Sequence, residues 1–302
     1  MLLLIDNYDS FSYNLYQLIG EVLLEEGRTD LQNPENPDIR VIRNDELTVE
    51  EIAALHPDGI IISPGPGRPA DAGICEALVK AASLEVTPMR PFQTVLGAVN
   101  GPENPIREKS PSRISRADVA KDTAPGIGSE QEVFRWPPIL GVCLGEQGIC
   151  EALGAQVTYA KELMHGKQSI VTLDLTSPLF AGLGEKIPVA RYHSLAVDAT
   201  TLPEELTVTA TADDGEVMAV EHRMRPIFGV QFHPESIMTP DGKDILRNFV
   251  KLTENTTAEE NQTSARLNIR QRGRKDSAVQ KERKSHDKGS HHQDRQQGGP
   301  LL

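Results

Sequence analysis

The sequence predicts an α/β fold, a mostly parallel sheet with helices on both faces. Three observations carry that prediction. The runs LLLID (2–6) and GIIIS (59–63) are apolar at nearly every position, as strands buried on both faces require. Segments of helical character alternate with such runs, in strand–helix–strand order. Turn residues punctuate the strand ends, most plainly Pro64-Gly65-Pro66-Gly67.

Taken in order, residues 2–6 read as a buried strand, and Asn7-Tyr8-Asp9-Ser10 offers helix N-caps before a helix from Phe11 to Val22. Ile39 to Arg43 alternates as a second strand. Thr48 and Glu51 have capping-box spacing for a short helix ending near Leu55. Residues 59–63 form a third strand, 70–82 a helix, and 138–142 the next strand. A helix follows Cys143 to about Leu153 and stops at Gly154. Short alternating segments then run at 157–159, 170–173, 189–192, 206–211, 217–222 and 227–232, and a closing helix spans 243–252.

Two regions break the pattern. Residues 85–136 carry Pro88, Pro91, Pro102, Pro105, Pro111 and Pro125 with charge clusters and no sustained period. So long a structureless connection is rare inside a compact domain, which predicts a disordered insertion. Residues 253–302 are rich in Gln, Lys, Arg, Ser and His, and are expected to form a disordered tail. The expected domain is therefore 1–252, interrupted by the insertion.

A net charge of −13 argues against a nucleic-acid binder or a membrane-surface protein, since both need a basic face. No apolar run approaches the roughly 18 residues of a membrane span, and MLLLI is too short for a secretory segment. The three cysteines cannot all pair, and none has metal-ligand spacing with a histidine. A cytoplasmic protein with free thiols is expected.

The chemistry centres on Gly141-Val142-Cys143-Leu144-Gly145. Small residues flank a cysteine where a strand hands over to a helix, the context of a nucleophile elbow. The helix N-terminus favours a thiolate, and the Leu144 N–H faces a developing oxyanion. A small buried hydrophobe is the alternative on this motif alone. A thiolate hydrolase also needs a base and a group to orient it. In GVQFHPES an apolar strand ends at His233 with Glu235 two residues on, a spacing that puts both on one face of an extended chain. Ser63-Pro64-Gly65-Pro66-Gly67 ends the third strand, and carboxyl-end loops of parallel strands form ligand crevices. It lacks the Gly-Lys-Ser/Thr ending of a phosphate loop.

With LLLIDNYDSFSYNL, RNDELTVEEI, ISPGPGRPADAGI, ILGVCLGEQ, ELMHGKQS, RYHSL and GVQFHPESI in this order, the chain resembles the class I (triad) glutamine amidotransferases. The resemblance spans about residues 1–84 and 137–252, and is specifically to the glutaminase subunit (component II) of anthranilate synthase and aminodeoxychorismate synthase. It implies a flavodoxin-like fold and an enzyme of tryptophan or folate biosynthesis that hydrolyses L-glutamine to glutamate. It implies Cys143 as nucleophile, His233 as proton shuttle and Glu235 as its holder. Gly67 and Leu144 would supply oxyanion N–H groups, and Gly65, Gly67, Gln147, Ser194 and Leu195 would hold glutamine. No metal or cofactor is implied for the glutaminase step. The implied partner is a chorismate-binding synthase subunit (component I), with residues 165–169 near the contact; neither nucleic acid nor membrane is expected.

Two departures stand out. Glu146 occupies a position where the family usually has histidine, and it is expected to point away from the sulfur, toward the partner or solvent, with activity modestly altered. The insertion replaces a short helix-to-strand connection at the amino ends of the strands, so catalysis is expected to survive it. Two alternatives are a catalytically impaired subunit that only binds and regulates the partner, and a thiol hydrolase of other specificity.

Overall fold

The computed structural model describes residues 1–28, 38–84 and 135–254. The expected insertion and tail therefore lie outside the described residues, apart from 135–136 and 253–254. The strands are β1 (Leu2–Asp6), β2 (Ile39–Arg43), β3 (Gly59–Ile62), β4 (Ile139–Val142), β5 (Val157–Tyr159), β6 (Lys167–Leu173), β7 (Lys186–Arg191), β8 (Leu195–Val197), β9 (Leu206–Ala212), β10 (Val217–His222) and β11 (Ile227–Val230). The helices are α1 (Ser12–Glu25), α2 (Val49–Ala54), α3 (Cys75–Ser83), α4 (Leu144–Ala152) and α5 (242–254).

Among the described residues nine strands form one sheet in the order β2-β1-β3-β4-β11-β10-β9-β6-β7. The half from β2 to β11 is parallel throughout. From β10 outward every pairing is antiparallel, so the segments expected at 170–173, 189–192, 206–211 and 217–222 extend the sheet. β5 and β8 form a separate antiparallel pair.

Alternation within the apolar runs explains the layers. Leu2 and Leu4 join a core with Leu15, Ile19 and Leu23 of α1 and Leu246 and Phe249 of α5. Leu3 and Ile5 point the other way, into a core with Leu78 and Val79 of α3 and Ile149 of α4. Each such side chain contributes about 1.5–3 kcal/mol by leaving water, so both faces of β1 favour apolar residues.

Local rules succeed and fail in instructive places. Thr48 and Glu51 make the expected reciprocal capping box on α2. The polar stretch before α1 instead builds a turn. Phe11 is the N-cap, and its N–H donates to Asp9 at 2.7 Å, while Asp6 accepts from Ser12 Oγ at 2.7 Å. The helix expected over 70–82 divides into a 3-10 turn (Pro69–Asp71) and α3. Gly73 separates them at φ +57, where an added Cβ would lie 2.3 Å from the Asn44 carbonyl oxygen. That close backbone approach excludes a continuous helix. α5 runs to residue 254, with Thr253 fully buried beside Gly59.

Candidate active site

The carboxyl ends of β1, β3, β4 and β11 lie side by side on one edge of the sheet. Asn7, Ser63, Cys143 and Gln231 are the residues reached there. Asn7 ties the first two together: its backbone N–H donates to Ser63 Oγ and its side chain to Ser63 O, both at 2.8 Å. Gly65 then packs where an added Cβ would sit 2.6 Å from both Asn7 and Leu144. The Pro-Gly loop is thereby seated against the start of α4.

Cys143 is the N-cap of α4 at φ +53 and ψ −103, a strained conformation for a residue with a Cβ. Its backbone N–H donates to Val230 O at 2.8 Å, locking the turn to β11. The two flanking glycines are sterically required. An added Cβ on Gly141 would lie 2.4 Å from the Gly145 carbonyl, and one on Gly145 would lie 2.5 Å from Ile62 O. The cysteine is 7% exposed. This is the elbow expected from the motif.

His233 and Glu235 lie beyond β11, in a turn that Ser236 N closes onto His233 O at 3.2 Å. The extended spacing expected to align them is absent; the turn brings His233 Nδ1 to 2.6 Å from Glu235 Oε1. The His233 N–H to Ala190 O bond, 3.0 Å, fixes the segment against β7. Phe11 and Tyr192 pack on the imidazole, with ring centroids at 5.5 and 5.1 Å. Burial disfavours the imidazolium, yet neighbouring Cys143 and Glu235 outweigh it and push the group up to about 10. Nε2 is buried and has no hydrogen-bond partner among the described residues.

The expected glutamine contacts fall around this point. Gln147, on the first turn of α4, donates from Nε2 to Leu195 O at 3.0 Å and to Gln231 Oε1 at 2.9 Å. Leu195 is buried, while Ser194 and Gly67 are exposed and Gly65 is half-buried. Gly67 takes φ +86. Residues 165–168 are exposed.

Glu146 differs from expectation. It is fully buried and faces neither solvent nor an open surface. Its carboxyl group receives the Cys150 thiol at 3.7 Å, while Oε2 has no hydrogen-bond partner among the described residues. Room for it comes from β11: an added Cβ on Gly229 would lie 2.7 Å from Glu146 Cγ. Burial pushes the carboxyl up to about 8, opposed by the Cys150 hydrogen bond.

Sequence reasoning assigned no role to Arg191, His193 or Gln231. Arg191, 1% exposed, pairs with Asp214 at 2.7 Å and with Glu216, and donates from Nε to His193 Nε2 at 3.0 Å. Gln231 donates to Cys143 Sγ at 3.5 Å. The available signal was a glutamine inside an otherwise apolar strand end, immediately before Phe232 and His233. All three cysteines are free, and among the described residues no cluster of three or more His, Cys, Asp or Glu could hold a metal ion. No helix among them is long and apolar enough to cross a membrane.

The glutamine amidotransferase class-I family model matches residues 3–89 and 100–252. The chain belongs to the class-I glutamine amidotransferase family. The match resumes at residue 100, inside the segment read from sequence as an insertion. Among class-I relatives, the aminodeoxychorismate/anthranilate synthase component 2 of Bacillus subtilis is 38% identical over 251 residues, covering 83% of this chain and 96% of that protein. The bifunctional protein TrpGD of Thermotoga maritima is 38% identical over 252 residues. That alignment covers 83% of this chain but only 32% of the longer relative. A solved structure described as a GMP synthase subunit from Thermoplasma acidophilum has a TM-score of 0.58 at 21% identity. It covers 86% of this chain and 96% of its own, a likeness of fold.

Proposed function

We propose that this chain is the glutaminase component of a chorismate-converting synthase, with Cys143, His233 and Glu235 as its triad. The observation that carries the reading is a buried His233 held by Glu235 at 2.6 Å beside a cysteine strained at the head of a helix. The Cys143 sulfur attacks the side-chain amide carbon of L-glutamine, and its proton passes to His233 Nε2. The tetrahedral oxyanion is met by the N–H groups of Leu144 and Gly67. His233 then protonates the departing nitrogen, leaving a glutamyl thioester and ammonia. Water, deprotonated by His233, cleaves the thioester to glutamate and restores the thiol.

Gly65, Gly67, Gln147, Ser194 and Leu195 hold the glutamine. The ammonia passes to a component I protein that binds chorismate, and that protein decides between anthranilate and 4-amino-4-deoxychorismate. Residues 165–168 are exposed and Ser169 is half-buried, so this stretch suits the contact. The amidotransferase unit is taken as residues 1–252, and the protein is placed in the cytoplasm.

A second reading is a regulatory subunit with little activity of its own. It is favoured by one observation, the buried carboxyl group of Glu146 three residues from the nucleophile. Glutamate release with and without a chorismate-converting synthase, beside a Cys143→Ala control, separates the two. The proposed activity requires release that Cys143→Ala abolishes; no release under either condition leaves only the regulatory reading.

A further inference from the structure

We propose that Gln231 is a further catalytic residue, a side-chain amide whose N–H stabilises the Cys143 thiolate. The inference rests on the glutaminase reading and adds a group that the triad lacks. Gln231 is fully buried directly beyond β11, with its backbone N–H bonded to Met218 O at 2.9 Å. Its Nε2 lies 3.5 Å from Cys143 Sγ.

A carboxamide can present either its oxygen or its nitrogen, and only the nitrogen end can donate to the sulfur. The surrounding network leaves one answer. Arg191 can only donate, and its Nε reaches His193 Nε2 at 3.0 Å, making that nitrogen the acceptor. His193 Nδ1 then carries the proton and donates to Leu195 O at 2.9 Å. Burial and the adjacent Arg191 charge hold His193 down at about 4, which keeps this neutral tautomer in place. Leu195 O, a backbone carbonyl, can only accept, so Gln147 must offer it the NH2 group, at 3.0 Å. The second N–H of that group points to Gln231 at 2.9 Å, which must answer with oxygen. The NH2 of Gln231 is left facing the sulfur.

A thiolate accepts this bond well and a thiol weakly, so the donor favours ionisation. When Cys143 gives its proton to His233, the N–H of Gln231 meets the new charge on sulfur with no reorganisation. Gln147 acts through Gln231 and is a positioning residue in this respect.

The test follows Cys143 alkylation by iodoacetamide from about pH 5 to about pH 9, with Cys143→Ala as the blank. Gln231→Glu keeps the shape but replaces the donor, and is expected to move the midpoint upward by about one unit. Gln231→Met removes the donor without adding charge and is expected to move it in the same direction by less. In both, kcat falls about tenfold or more while KM changes by less than about threefold. In the unmodified chain, the side-chain amide proton resonance of Gln231 should follow the Cys143 titration and lose that dependence in Cys143→Ala. This measurement stands even if a variant fails to fold. Unmoved midpoints in folded variants, or an amide resonance indifferent to Cys143, overturn the proposal. Alkylation needs no turnover, so a chain that released no glutamate would defeat the proposed function and leave this test intact.

Discussion

Glu146 is the residue whose local sequence is least informative about its surroundings. Its place on the first turn of α4 suits a carboxylate near a helix N-terminus, and an exposed one would be unremarkable there. Instead it is enclosed against Gly229, with one oxygen lacking a hydrogen-bond partner among the described residues. The native state holds its proton more tightly than the unfolded chain does. Its contribution to stability is therefore complete below the ordinary value of 4.5 and is lost as pH rises toward about 8. Urea unfolding across that window should show a decline on the order of a few kcal/mol. Glu146→Gln, isosteric but unable to ionise, should flatten it; an unchanged slope would show that the carboxyl is not the titrating group.

At the scale of elements, the junction of β4 and α4 controls the nucleophile. Gly145→Ala would drive a methyl group into Ile62 O on β3, where neither partner is a flexible side-chain end. A loss of about 3 kcal/mol or more in unfolding free energy is expected, with glutaminase activity lost as the elbow shifts. Gly148, one turn along, has open space where a Cβ would go. Gly148→Ala should raise stability by about 0.5–1 kcal/mol and leave kcat unchanged. The two variants share a helix and differ only in what lies over the glycine. The capping box at Thr48 was legible because its partners are three residues apart. The break before α3 was not, because the chain that forces it is Asn44, on another loop.

At the scale of the whole molecule, Arg191 joins the antiparallel half of the sheet to the site. It ends β7, bonds Ser169 of β6 at 3.3 Å, and neutralises Asp214 and Glu216 at the turn between β9 and β10. Arg191→Met would leave the buried Glu216 carboxylate without its cation, at a cost of about 3–5 kcal/mol. Thermal unfolding should show it, together with reduced activity through the loss of the bond that fixes His193. Acid stability is linked to the same cluster. His193 is held down at about 4 by burial first and by Arg191 second, so the unfolded chain takes up its proton more readily. That contribution is present above the ordinary 6.5 and is lost as pH falls toward about 4. Glu146 acts in the opposite sense from 4.5 upward. Glu146→Gln should therefore shift the pH of maximum stability upward, readable from unfolding midpoints measured across pH.

The parallel half of the sheet, the elbow at Cys143 and the candidacy of His233 and Glu235 are legible in the residues alone. Each rests on short-range physics: an apolar run on both faces of a strand, small residues around a strained turn, and a carboxylate two residues from an imidazole. The tertiary structure alone decided that Gln231, 88 positions from Cys143, donates to its sulfur, and that Glu146 is closed in by Gly229. Those outcomes depend on which strand lies beside which, and on the space a distant glycine leaves. No local period encodes either, because burial and hydrogen-bond polarity are properties of the assembled neighbourhood.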